Sequence, residues 1–150
     1  MGFITQIACN KVFIVTLICW FTAQSIKIAV SAVRKKSFDF RWLIGTGGMP
    51  SSHCAATSAL AVALGMSYGF DSGVFAIGLG FAIVTMFDAQ SARRAIGKQA
   101  EILNNMIEDI YSNRSIKEER LAELIGHTPV QVLAGASLGA VMAYFLYLKI

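Results

Sequence analysis

Long apolar segments alternate with polar ones along this 150-residue chain. The apolar segments are Val12–Val33, Cys54–Phe70, Gly73–Phe87 and Pro129–Leu148. The first has 22 residues, which makes about 33 Å of helix against a hydrocarbon core of about 30 Å. Because a backbone in lipid must satisfy its own hydrogen bonds, we expect a transmembrane helix in each segment.

The predicted fold is therefore all-α, a multi-pass membrane bundle of about four transmembrane helices with interfacial amphipathic helices beside them. The chain forms a single domain, 1–150, with spans at about 12–33, 52–70, 73–92 and 129–148. The third span requires its helix to continue to Ala92. Buried helices of a soluble protein are the alternative for the two shorter segments. A cleaved signal is the alternative for the first, but its apolar run continues to Val33 and favours a retained span.

The segment 93–127 is too long to be a simple connection. Its apolar residues recur at helical spacing: Ile102, Leu103, Met106, Ile107 and Ile110. A second helix is predicted from Ser115, which forms a capping-box pattern with Glu118. We expect both helices to lie on the membrane surface, and packing against a partner chain is the alternative.

Basic residues are concentrated in two of the predicted loops. Ten of the 13 lysines and arginines lie in 34–41 and 93–120, and the turn Tyr68–Ser72 has none. Four spans put both basic loops on one side, which the positive-inside rule makes cytoplasmic. The sequence thus predicts an integral protein of the bacterial cytoplasmic membrane or of an organellar membrane.

The second span is preceded by the sequence GGMPSSH, which ends at His53. Pro50 fits the first turn of a helix, and Ser51 and Ser52 can cap its N-terminus. Such a helix start binds anions, and His53 adds an acid or a base beside it. A helix cap without any ligand is the alternative.

The fourth span begins in a similar way. Thr128 is the predicted N-cap, Pro129 the first helical residue and Gln131 the third, which completes a capping box. His127 directly precedes this box. The only two histidines of the chain therefore lie at helix starts on the same predicted side of the membrane.

Three further ionisable residues lie in or beside the spans. Lys27 and Arg34 are seven residues apart, about two helical turns, so they share a helix face. They can bind an anion together, and snorkelling of Lys27 to the interface is the alternative. Asp88 lies close before Arg93 and Arg94, where a structural ion pair is the alternative to a role in the site.

Together these residues predict a phosphate site. Phosphoryl transfer needs cations around the phosphate oxygens, a nucleophile, and a proton donor for the leaving oxygen. One histidine can form a phospho-enzyme and the other can protonate the leaving alcohol.

The three cysteines (Cys9, Cys19 and Cys54) have no metal-site or disulfide spacing. Gly65-x3-Gly69 and Gly135-x3-Gly139 predict closely packed helices.

The chain resembles the type 2 phosphatidic acid phosphatase superfamily, whose pattern is K-x6-R-P, P-S-G-H and S-R-x5-H-x3-D. The first element matches Lys27 to Arg34, and Lys35 replaces its proline. Pro50 to His53 match the second element, with serine for glycine. The strings GGMPSSH, DAQSARRAIGKQAEILN and GHTPVQVLAG resemble the divergent branch labelled acid phosphatase/vanadium-dependent haloperoxidase related.

The resemblance implies that His127 is the nucleophile and His53 the general acid. It also implies a set of phosphate ligands and no metal or other cofactor: Lys27, Arg34, Ser51, Ser52, and Arg93 or Arg94, with Arg120 as a rival arginine. In the superfamily pattern an acidic residue orients the nucleophilic histidine, and Gln131 stands at its position in this chain. Either Asp88 supplies the missing charge, or the site is slow or only binds.

The sequence thus predicts a membrane phosphatase that hydrolyses a lipid phosphate monoester or diphosphate at the cytoplasmic face. A catalytically weak or inactive lipid-phosphate binding or transport protein is the alternative. A haloperoxidase is not favoured, because nothing in the sequence indicates oxidant chemistry. We expect no nucleic-acid partner, and a homo-oligomer is left open.

Overall fold

A computed structural model describes residues 2–35, 48–90, 92–111 and 128–150 of the protein, without the side chains of 34–35, 92–96 and 109–111. This part of the chain contains helices and turns but no strand. The helices are α1 (Phe3–Ala8), α2 (Lys11–Lys35), α3 (Ser52–Tyr68), α4 (Gly73–Gln90), α5 (Ala92–Tyr111) and α6 (Pro129–Lys149). The predicted all-α fold is confirmed.

Three helices of the described residues are long and apolar enough to cross a membrane. They are Lys11–Val33, Gly73–Gln90 and Pro129–Lys149, and at most 28% of each apolar window is buried within the protein. Most of their large side chains are exposed; Ile77 of α4, for example, is 75% exposed. Such a continuous apolar surface suits hydrocarbon. The predicted helical membrane bundle is therefore confirmed.

The second predicted span, α3, has 17 residues and lies at the centre of the bundle. It contacts α2, α4 and α6. Val15 and Cys19 of α2 pack with Ala59 and Ala63 of α3, whereas Lys27 lies beside Gly48, which precedes α3. The two helices are therefore antiparallel. The buried residues of α3 are all small (Ser, Cys, Ala, Thr and Gly), which lets the other helices pack closely around it.

Glycines allow α3 and α6 to approach closely. A Cβ atom at Gly135 would overlap the backbone of Ser51, and one at Gly139 would overlap that of Ala55. The close packing predicted for this glycine pair is confirmed. The other pair differs, because Gly65 accommodates the ring of Phe70, and Gly69 ends α3 with a φ of 92°.

The amphipathic segment after α4 forms the helix α5. Ile102, Leu103 and Met106 are exposed, whereas Ala100 and Asn104 are buried. Among the described helices α5 contacts only α4. The second helix predicted for this segment, from Ser115, lies outside the described residues, and so does Arg120.

Candidate functional site

The serines before α3 hold the start of that helix. Ser51 is the N-cap, and its Oγ accepts the N–H of Cys54 at 3.5 Å. Ser51 and Ser52 are buried, and His53 is exposed. The prediction that Pro50 lies in the first turn is wrong. Because Ser51 captures the N–H of Cys54, the helix begins at Ser52 and Pro50 precedes the cap.

The start of α6 is held by the predicted capping box. The N–H of Thr128 donates to Oε1 of Gln131 at 3.0 Å, and the N–H of Gln131 donates to Oγ1 of Thr128 at 3.4 Å. Pro129 opens the helix. The box is confirmed, and it gives the side chain of Gln131 a structural task. His127, which precedes Thr128, lies outside the described residues.

A backbone hydrogen bond joins these two helix starts. The N–H of Ser51 donates to the carbonyl oxygen of Gln131 at 3.3 Å, and Gly135 packs against the backbone of Ser51 one turn further on. The starts of α3 and α6 therefore lie side by side at one end of the bundle. The N–H groups of two helix N-termini at one place favour an anion.

Lys27 lies at the same end of the bundle. It is only 5% exposed, and a Cβ atom at Gly48 would be 3.0 Å from its Cγ. Its aliphatic stem thus packs on the backbone that leads to Ser51, and Gly48, with a φ of +93°, suits this approach. The lysine is enclosed by protein, which does not fit the snorkelling alternative. We call this end of the bundle, with Lys27, Ser51 and Thr128, the site end.

Gln24 is a buried polar residue that the sequence analysis missed. It is 7% exposed and precedes Lys27 by three residues, so both lie on one face of α2. A buried amide inside an apolar span is expensive without a polar partner. Its spacing from Lys27 is the sequence signal that could have identified it.

For the other predicted site residues, Asp88, Arg34, Arg93 and Arg94, the described part of the structure shows no contact with the starts of α3 and α6. Asp88 is exposed, and it is two residues from Gln90, which faces α6 across a groove. Two residues correspond to about 200° around a helix, so Asp88 projects from the other side of α4. Arg34 falls in the last turn of α2, and Arg93 and Arg94 fall in the first turn of α5. Their side chains lie outside the described residues.

The described residues do not form a metal-ligand cluster. No group of three or more His, Cys, Asp or Glu side chains meets within them. Cys9, Cys19 and Cys54 are unbridged thiols, and the last two are buried among apolar residues. The described residues bring to the site end the ammonium of Lys27, the imidazole of His53 and the N-termini of α3 and α6.

Comparison with known proteins identifies the family of the chain. The model of the divergent PAP2 family, where PAP2 denotes type 2 phosphatidic acid phosphatase, matches residues 8–142. The chain is 38% identical over 140 residues to the uncharacterized membrane protein YuiD of Bacillus subtilis (strain 168), covering 82% of this chain and 87% of that protein. No solved structure matches the chain significantly. The predicted resemblance is thereby confirmed: the chain is a membrane protein that belongs to the divergent PAP2 family.

Proposed function

We propose that this protein is a metal-independent phosphatase that hydrolyses a lipid phosphate monoester or diphosphate at the cytoplasmic face of the membrane. Phosphatidate, phosphatidylglycerophosphate and polyprenyl diphosphate are candidate substrates. The observation that carries the proposal is the hydrogen bond from Ser51 to Gln131. It holds the two helix starts that adjoin His53 and His127 side by side, and Lys27 is buried next to them.

In the proposed reaction His127 attacks phosphorus and His53 protonates the leaving oxygen. The bond between phosphorus and the lipid oxygen breaks as the bond to the imidazole nitrogen forms. Water then attacks the phosphohistidine and gives a proton to His53, which releases phosphate and restores His127. Each histidine thus returns to its starting state after one turnover.

The cations and helix starts stabilise the charge on the phosphate oxygens. Lys27 provides an ammonium, Arg34 and one of Arg93 and Arg94 provide guanidinium groups, and the first turn of α3 provides N–H groups near Ser52. Charge stabilisation of this kind is the largest part of catalysis in many phosphoryl transfers.

A lipid-phosphate binder is the second candidate, and one observation favours it. Gln131 occupies the position of the acid that orients the nucleophile in the superfamily pattern, and its Oε1 accepts the N–H of Thr128. An amide does not stabilise an imidazolium as a carboxylate does. The same anion site without effective turnover would bind lipid phosphates, or move them, without hydrolysing them.

Phosphate release by the purified protein in detergent distinguishes the two candidates. We expect release from at least one member of a panel of lipid phosphates, and we expect His127→Ala and His53→Ala to abolish it. Saturable binding of the panel without release by the wild-type protein would identify the binder instead.

A matched pair of lysine variants on α2 tests the phosphate ligand. Lys27→Met should lower release by roughly 10², the usual cost of removing one donor to a transition-state oxyanion. Lys11→Met should leave release unchanged, because Lys11 is at the other end of α2, where its Nζ lies 4.1 Å from the centre of the Tyr147 ring. Equal rates in the two variants would remove Lys27 from the site.

A further inference from the structure

An apolar groove of about 320 Å³ lies between α4 and α6. Phe87 of α4 and Leu133 of α6 form its outer edges, Val132 lines it, and Gln90 and Pro129 lie at its mouth. These two helices contact each other sparsely, because each packs mainly on α3. The groove is the gap that this arrangement leaves on the surface of the bundle.

The groove begins at the site end. Val132 packs directly on Cys54 and Ala89, and Cys54 follows His53 in the first turn of α3. Pro129 is the second residue after His127. From Gln90 the groove extends along α4 to Ile83, seven residues or about 10 Å into the membrane. The groove therefore begins beside the two helix starts and extends into the apolar part of the bundle.

The surroundings of the groove determine what can occupy it. Its walls are apolar apart from Gln90 at the mouth, and its edges, Phe87 and Leu133, are 67% and 65% exposed. Because α4 and α6 are both membrane-length helices, the open side of the groove faces hydrocarbon. A helix of a partner protein is about 10 Å across, which is wide for a gap of this volume.

We propose that one hydrocarbon chain of a lipid phosphate lies in the groove between α4 and α6 while the starts of α3 and α6 hold its phosphate. This inference rests on the proposed function and specifies its substrate as a phosphate ester with a long apolar chain. Leu133 and Phe87 are then the residues that determine chain specificity. The lipid enters sideways from the bilayer, with no need to leave it.

Photolabelling of the wild-type protein tests the position of the chain. The probe is phosphatidate with a diazirine in one acyl chain, in phosphatidylcholine nanodiscs, and mass spectrometry maps the labelled residues. We expect labels at the groove, around Phe87 and Leu133, that unlabelled phosphatidate removes and diacylglycerol does not. Equal competition by diacylglycerol, or labels spread over the outer face of α4 at Ile77 and Val84, would overturn the inference.

Two tryptophan substitutions on α6 provide a matched test. Leu133→Trp fills the groove, whereas Leu148→Trp adds the same bulk at the other end of the helix to a leucine of nearly equal exposure, 63%. We expect Leu133→Trp to lower specific labelling about tenfold, the scale of a steric change in an apolar pocket, and Leu148→Trp to leave it unchanged.

Phosphate release from the same samples separates this inference from the proposed function. Labelling of the groove by a wild-type protein that releases no phosphate would support the groove and refute the phosphatase. If Leu133→Trp and Leu148→Trp released phosphate from lipid phosphates at equal rates, the result would support the phosphatase and refute the groove.

Discussion

At the scale of single residues, Gln131 connects the capping of α6 to the chemistry proposed for His127. Its Oε1 accepts the N–H of Thr128, a bond that a glutamate carboxylate makes equally well. Asp88 is exposed on the side of α4 opposite to Gln90. No carboxylate among the described residues is therefore brought to the start of α6 by these contacts.

Gln131→Glu should raise the rate of phosphate release. A carboxylate keeps the capping box and stabilises an adjacent imidazolium, so we expect an increase of roughly tenfold, corresponding to about one unit of imidazole pKa. Initial rates on the best substrate of the lipid panel give the measurement. Asp88→Asn should change the rate little.

Gln131→Ala is the control for that substitution. It removes one of the two hydrogen bonds of the capping box, the one from the N–H of Thr128 to Oε1 of Gln131, and should destabilise the protein by about 1 kcal/mol without raising the rate. An unchanged rate in Gln131→Glu would mean that the amide of Gln131 does not limit turnover and that another residue supplies the negative charge beside His127.

At the scale of helices, small residues determine how α3 and α6 meet. Gly135 and Gly139 face the backbones of Ser51 and Ala55, and the Sγ of Cys19 lies 3.9 Å from the carbonyl oxygen of Gly139. In a membrane, close packing replaces the hydrophobic effect as the force between helices. The same packing holds Ser51 within hydrogen-bonding distance of Gln131, so helix packing and the site depend on one interface.

Gly139→Ala should destabilise the protein, because the added Cβ overlaps the backbone of Ala55. We expect a loss of about 1–3 kcal/mol, the usual cost of overpacking, seen as a lower melting temperature in detergent. Gly80→Ala is the matched control, since a Cβ at Gly80 of α4 meets no atom within 4 Å. Equal melting temperatures for the two variants would contradict the close approach of α3 and α6.

At the scale of the whole molecule, the basic loops determine how the bundle is oriented. Ten of the 13 basic residues lie in 34–41, at and after the C-terminal end of α2, and in 93–120, between α4 and α6. Both segments adjoin the site end. The turn between α3 and α4 contains Asp71 and no basic residue. From the positive-inside rule we therefore predict that the site end faces the cytoplasm.

Cysteine labelling tests this orientation. In a Cys9→Ser variant expressed in bacteria, a membrane-impermeant maleimide should label Asp71→Cys in intact spheroplasts, and Asn105→Cys on α5 only after permeabilisation. Cys19 and Cys54 are buried and should stay unlabelled, which gives the background. Labelling of Asn105→Cys in intact spheroplasts would reverse the orientation and move the site to the outer face.

The sequence by itself determined the features that depend on neighbouring residues. Helices follow from runs of apolar residues, and the box of Thr128 and Gln131 closes within one turn. The family was also predictable, because the short sequence motifs around His53 and His127 are typical of it. Even so, Pro50 was predicted in the first turn of α3 and lies instead directly before the N-cap, because the side chain of Ser51 decides where α3 begins.

Only the tertiary structure decided which helix faces which. The apolar helices are apolar around most of their circumference, so periodicity does not reveal the side that packs. Gly139 against Ala55, Gly48 against Lys27, and Ser51 bonded to Gln131 are contacts between distant parts of the chain. Those contacts put α3 at the centre, bury Lys27 and leave the groove between α4 and α6. They arise because the smallest residues let two backbones meet, and which backbones meet depends on the whole bundle.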